Sequence, residues 1–265
     1  MDIEFTEGVG VGRSGASRVL VLSNPGKRNA FYEEMRARLT DEIRAAAKDK
    51  SIRTIVITGA DGHFCAGADL SRTPQRSEPA TAIDQRETIG TILELYRAMA
   101  GGPLPIIAAV EGGAFGAGMS IAAACDVVVA ARGAKFGSVF SKIGLLPDCG
   151  ILYTLPQRVG LSRAKRLMTL GTTVPGEEAL AIGLADDLVE DGQALDYALK
   201  LAVQYEACAP LTAAYTRIAL NTGIGGYEDA IRVERDLVPI MATSEDMREG
   251  INAFREKRPA RFKGR

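Results

Sequence analysis

Residues 105–126, PIIAAVEGGAFGAGMSIAAACD, pass from an apolar run through a glycine-dense turn into a stretch of small residues without a break. Residues 106–110 are β-branched and alanine, the pattern of a strand buried on both faces. Gly112, Gly113, Gly116 and Gly118 follow within seven positions. Glycine tolerates positive φ and close approach, so this density marks a place where main chain rather than side chain makes the contact. From Gly116 onward the small residues predict a helix, whose first N–H groups are unpaired and carry a partial positive charge. The stretch therefore predicts an anion or oxyanion site at a helix N-terminus. The same composition also serves plain tight packing in α/β proteins. A phosphate cradle is the weaker alternative, because the spacing fits neither the Walker loop nor the dinucleotide fingerprint.

The rest of the chain limits what such a site can belong to. At 265 residues it can bury one substantial core with a smaller appendage. Net charge −1 and a pI near 6.0 give no overall attraction for nucleic acid or an anionic membrane. Cys65, Cys125, Cys149 and Cys208 are scattered without metal-ligand spacing, so they read as reduced thiols of a cytoplasmic protein with no metal. The acidic start MDIEFTEGVG has no apolar core of a signal segment, and no apolar run approaches the roughly 20 residues of a membrane span.

Taken in order, residues 18–22 (RVLVL) and 54–59 (TIVITG) are strand-like, and helical spacing of Met35, Leu39 and Ile43 lies between them. Strand, helix, strand at this interval predicts a right-handed crossover and a parallel sheet. After the second strand comes another glycine turn, DGHFCAGADL at 61–70. Residues 71–87 are polar and aperiodic with two prolines, the pattern of a loop over a site, and a helix is expected from about 89 to 100. Residues 127–131 read as a third strand. Helices are expected at 163–170, 175–182, 196–208, 210–222, 227–241 and 244–255, so residues 1–195 form the core and 196–265 a helical region.

Several ordered motifs resemble those of the crotonase family, the enoyl-CoA hydratase and isomerase superfamily. They are NPGKRNAF at 24–31, HFCAGADL at 63–70, EGGAFGAGMSIAAACD at 111–126, KFGSVFSKIGLLPDCG at 135–150, LMTLGTTVPGEEALAIGL at 167–184 and the closing SEDMREGINAFREKRPARF. The resemblance covers essentially the whole chain. It implies an α/β spiral of ββα units with a C-terminal helical trimerisation region, a homotrimer or a hexamer made of two trimers, and an acyl-CoA thioester as substrate. Coenzyme A is then part of the substrate, and no separate cofactor is implied. By position, the family's two oxyanion donors are the backbone N–H groups of Ala68 and Ala117. Fixed dipoles aimed at a developing enolate oxygen are commonly the largest catalytic contribution, about 2.7–4 kcal/mol per donor. The same comparison places Lys27, Arg28, Ala66, Asp69 and Leu70 along the CoA, Phe140 at the acyl group, and Phe254 and Lys257 against a neighbouring subunit's CoA. The basic end, Arg255 to Arg265, reads as a solvated tail in preference to a nucleic-acid surface.

Hydratases of this family carry two glutamates where this chain has Ser120 and Phe140, and neither residue can add water across a double bond as acid or base. Asp148 remains, in GLLPDCG, where ring-1,2-epoxyphenylacetyl-CoA isomerases, dienoyl-CoA isomerases and a chlorobenzoyl-CoA dehalogenase keep an aspartate. The FSKIGLLPDCG run is most similar to the first of these. A single carboxyl among Phe140, Ile143, Leu145 and Leu146 is expected to have a raised pKa and to shuttle one proton. The expected activity is therefore an acyl-CoA isomerase, with an enoyl-CoA hydratase as the alternative and a non-catalytic acyl-CoA or RNA-binding relative as the alternative of another class. His63, the only histidine, is expected to pack beside the first turn, and Cys149 to be buried filler.

Overall fold

A computed structural model describes residues 1–72, 81–222 and 224–265. The chain runs β1 (Ile3–Thr6), β2 (Val9–Ser14), β3 (Ser17–Leu22), α1 (Glu33–Lys48), β4 (Thr54–Gly59), α2 (Ala82–Gly101), β5 (Ile106–Val110), β6 (Gly113–Phe115) and α3 (Ala117–Ala124). It continues with β7 (Val127–Ala131), β8 (Lys135–Gly137), α4 (Ile151–Val159), α5 (Leu161–Leu170), β9 (Thr173–Pro175), α6 (Gly176–Ala181) and β10 (Asp187–Val189). Four helices follow: α7 (Ala194–Glu206), α8 (Pro210–Thr222), α9 (Tyr227–Ala242) and α10 (Glu245–Glu256).

The large sheet has the order β1-β2-β3-β4-β5-β7-β10, and β6-β8-β9 form a small one. From β3 to β10 the large sheet is parallel, while β1 and β2 add an antiparallel edge. Units such as β5-β6-α3 and β7-β8-α4 put their first strand in the large sheet and their second in the small one. This is the α/β spiral of ββα units expected above.

The continuous apolar runs are explained by burial on both faces. Val19, Val21, Val56, Ile107, Ala109 and Val129 meet Ala194, Ala198 and Ala202 of α7, a stripe of small residues four apart that lets the helix lie close to the sheet. On the opposite face Leu20, Leu22, Ile55, Ile57 and Val128 pack with Met35, Leu39 and Ile43 of α1 and Met119 of α3. At the far end of α2, Arg217 of α8 pairs with Asp126 at 2.6 Å and also donates to the carbonyls of Met99, Ala100 and Gly102. That guanidinium fixes the C-terminus of α2 on the core.

The largest departure from expectation is at the start of α2. The helix anticipated from 89 begins two turns earlier, because the Thr81 hydroxyl accepts from Asp84 N–H while the Asp84 carboxylate accepts from Thr81 N–H, a capping box. The 71–87 segment is therefore partly helix, and residues 73–80 of it lie outside the described residues. The three-residue strands are too short to show a period, and in α4 the buried Ile151, Leu155 and Val159 repeat four apart but Pro156 interrupts the run.

Candidate active site

One parallel bridge ties Phe31 to the first glycine turn and a second joins the two turns. Phe31 N–H donates to Gly67 O at 2.7 Å and Asp69 N–H to Phe31 O at 2.9 Å, which places Ala68 opposite Phe31 with its own N–H turned away from that strand. Cys65 N–H donates to Gly113 O and Phe115 N–H to Cys65 O, both at 2.9 Å, so Cys65 sits opposite Ala114. Gly67 (φ +100°) and Gly116 (φ +50°) then touch, and a Cβ built on Gly116 lies 3.7 Å from the Gly67 Cα. Gly118 is a second obligatory glycine, since a Cβ there falls 2.4 Å from Cys65 O. The residues after the two touching glycines, Ala68 and Ala117, are carried to neighbouring positions. Among the described residues neither N–H donates to a backbone carbonyl, and Ala117 is the first residue of α3. Ala117 is buried at the start of α3 and Ala68 is exposed in the turn beside it, and two uncommitted N–H groups so placed are suited to an oxyanion.

The carboxyl comes from the turn between β8 and α4. Asp148 is half-buried, and that burial raises its pKa above the ordinary carboxylate value, against the Cys149 thiol hydrogen bond and the Arg36 charge, which both pull it down. The direction agrees with expectation but the surroundings differ. Phe140 is buried, whereas Ile143, Leu145 and Leu146 are 53 %, 52 % and 75 % exposed. The 3-10 helix Val139–Ile143 ends on Gly144 at φ +72°, and the chain beyond it turns outward, so these three side chains do not close an apolar pocket over Asp148 within one subunit. The ring of Tyr96 closes the other side of the turn, lying so near Gly150 that a Cβ there falls 2.5 Å from it.

Ser120, one turn into α3, donates its hydroxyl to Gly116 O at 3.2 Å and to Asp148 O at 3.1 Å. Cys149 is half-buried at φ +56°, with its thiol bonded to the Asp148 carboxyl, and burial pushes the thiol strongly up. It is therefore a partner of Asp148 and not buried filler. His63 is half-buried, and its Nδ1 lies 2.4 Å from a Cβ built on Gly112, so its ring packs on the second turn and not only beside the first.

Lys27, Arg28, Ala66, Asp69 and Leu70 come together beside the first turn. Arg28 O accepts from Ala66 N–H at 3.0 Å, and both residues are exposed. Lys27 Nζ donates to Ser71 Oγ at 2.6 Å and to Asp69 Oδ1 at 3.5 Å. The Ser71 hydroxyl, then the Asn24 amide, Ser71 N–H and Lys27 hold the Asp69 carboxyl below its usual range. Leu70 is exposed. Phe254 and Lys257, at the exposed end of α10, are not brought into this group within the chain. No group of three or more His, Cys, Asp or Glu among the described residues is placed to hold a metal ion. None of the described helices is long and apolar enough to cross a membrane.

Sequence reading missed Arg36 and Tyr96 and left Ser120 without a task. Their partners lie far along the chain, and no local spacing signals them.

Comparison with known proteins bears on this geometry. A family model described as enoyl-CoA hydratase/isomerase matches residues 14–265. The 2,3-dehydroadipyl-CoA hydratase of Escherichia coli K12 is 36 % identical over 96 % of this chain and 98 % of its own length. The 1,2-epoxyphenylacetyl-CoA isomerase of the same organism is also 36 % identical, over 93 % of this chain and 94 % of its own. Among solved structures, a putative enoyl-CoA hydratase from Streptomyces coelicolor A3(2) superposes with a TM-score of 0.91 at 32 % identity, covering 97 % of this chain and 94 % of that one.

Proposed function

Because the chain belongs to the enoyl-CoA hydratase/isomerase family, the crotonases, we propose that it isomerises acyl-CoA thioesters, with Ala68 and Ala117 N–H holding the thioester oxygen and Asp148 moving the proton. The observation that carries this reading is the Ser120 to Asp148 contact. The hydroxyl at the α3 position is committed to main-chain acceptors, Phe140 is buried, and the residue whose main-chain carbonyl Ser120 holds, Asp148, carries the carboxyl.

For a 3-enoyl thioester, Asp148 takes a proton from the carbon next to the carbonyl. The C–H electron pair forms a dienolate whose negative oxygen rests on the two N–H groups. The same carboxyl returns the proton two carbons further on, giving the 2-enoyl thioester with nothing gained or lost. In a ring epoxide the same pair of donors and one proton shuttle assist C–O bond opening. Water addition instead needs groups to activate the water and to protonate carbon, and the site offers one carboxyl for both tasks. The relatives named as hydratases make hydration the second reading.

In this reading Lys27, Arg28 and Ala66 meet the CoA phosphates and adenine, and Asp69 and Leu70 shape the first turn. Phe254 and Lys257 serve a neighbouring subunit of a homotrimer, for which the exposed Leu220, Val238 and Phe254 of the C-terminal helices supply apolar surface. Incubation of wild type and Asp148→Asn with 3-hexenoyl-CoA, crotonyl-CoA and epoxyphenylacetyl-CoA tests the assignment. Isomerisation that falls by about 10²–10⁴-fold in the variant is expected. Undiminished isomerisation in Asp148→Asn, or crotonyl-CoA hydration by the wild type at an ordinary enzymatic rate, refutes it.

A further inference from the structure

Arg36 stands one turn into α1, just beyond the Phe31 that pairs with Ala68. Its charge acts on both Asp148 and Cys149, and its side chain is only 14 % exposed. Among the described residues its guanidinium makes one hydrogen bond, to the Thr91 hydroxyl of α2 at 3.0 Å. Glu33 approaches at 4.0 Å but is itself 79 % exposed, and such surface pairs are weak. Five residues further along the same α2, about one and a half turns, Tyr96 lies against Gly150 in the Asp148 turn. Arg36 is thus a mostly buried side chain whose charge reaches the Asp148 turn, with most of its donors uncommitted and open to solvent. A plain hydrocarbon chain laid past it leaves those donors unpaired, which is costly. A carboxylate matches the guanidinium fork with two parallel hydrogen bonds and can displace the loose Glu33 contact.

We propose that Arg36 recognises a second carboxylate on the acyl group, so that the substrates are CoA monothioesters of dicarboxylic acids. The inference rests on the acyl-CoA reading above, with the thioester oxygen at Ala68 and Ala117 and the acyl chain running past Asp148.

Binding of saturated thioesters, which have no double bond to isomerise, separates recognition from chemistry. Calorimetric titration compares adipyl-CoA with hexanoyl-CoA, and glutaryl-CoA with pentanoyl-CoA, in wild type, Arg36→Gln and Arg36→Lys. Thermal melts of the three proteins confirm equal folding. The wild type is expected to favour the diacid thioester of at least one pair about tenfold, which corresponds to about 1.4 kcal/mol. Arg36→Gln is expected to erase that ratio while leaving monoacid affinity within about twofold, and Arg36→Lys to keep part of it. Equal or reversed affinity within both wild-type pairs overturns the inference, as does an Arg36→Gln variant that weakens both members equally. Failure of all four thioesters to bind overturns the acyl-CoA reading itself. Loss of the isomerase assignment alone leaves these ratios unchanged.

Discussion

The Ser120 hydroxyl donates to the main-chain carbonyl of Asp148 at 3.1 Å, tying α3 to the turn that carries the Asp148 carboxyl. Its one hydrogen is shared with Gly116 O at 3.2 Å. Ser120→Ala removes the tie while leaving both N–H donors and the carboxyl in place. A neutral hydrogen bond contributes about 1 kcal/mol net, so kcat on a 3-enoyl-CoA is expected to fall about fivefold with little change in KM. A loss confined to KM excludes a positioning role for Ser120.

Burial holds the Asp148 carboxyl above the ordinary value, which sets the sign of two pH dependences. As a base it works only when ionised, so kcat/KM rises with pH through the raised value. Arg36→Gln, which removes a charge that lowers this pKa, moves the acid limb of the profile to higher pH. Stability runs the other way. The folded state binds this proton more tightly than the unfolded chain, so stability falls as pH climbs from 3.8 through the raised value. Asp148→Asn is therefore expected to melt above the wild type at pH 7, with the gap closing as the pH nears 4. A lower melting temperature for the variant at pH 7 contradicts the assignment of burial as the cause.

How much of this was legible depended on how local the determining physics is. β3, β4, β5 and β7 announced themselves because both sheet faces are covered, by α7 on one side and by α1 and α3 on the other, leaving no polar alternation. The two glycine turns showed in composition because Gly67 and Gly118 each answer a steric demand of a neighbouring backbone and Gly116 a positive φ. The β1-β2 edge, with a glycine at every second position from Gly8 to Gly12, carries no such signal and takes its form from pairing with β3. Ser120, Cys149 and Arg36 were opaque in a different way. Their meaning is in partners brought near by the fold, and the exposed faces of Ile143, Leu145 and Leu146 show that an apolar run beside a site need not line it.

Gly67→Ala should separate the oxyanion hole from the rest of the site. Its φ of +100° is hostile to any side chain, and the added Cβ lies 3.0 Å from Phe115 O. Relief requires the two turns to part, moving Ala68 N–H away from Ala117 N–H. Losing one oxyanion donor costs about 10²–10³ in kcat, and a drop of that order is expected in the fraction that remains folded, as gauged by circular dichroism. Unaltered kcat places the oxyanion elsewhere.

Arg217 is the residue on which the placement of α2, and with it Thr91 and Tyr96, most depends. Its side chain is 5 % exposed and pairs with Asp126, which also accepts from Ile106 N–H at 2.7 Å at the start of β5. Arg217→Met removes the donor from three α2 and post-α2 carbonyls and leaves a carboxylate partly buried without its counter-ion. Breaking one side of a buried pair costs about 3–5 kcal/mol, so the urea midpoint should fall sharply with the slope unchanged. Adding Asp126→Asn to the same chain removes the orphaned charge and is expected to recover part of the loss. If the double variant is no more stable than Arg217→Met, the carbonyl contacts at the end of α2 carry the stability and the ion pair does not.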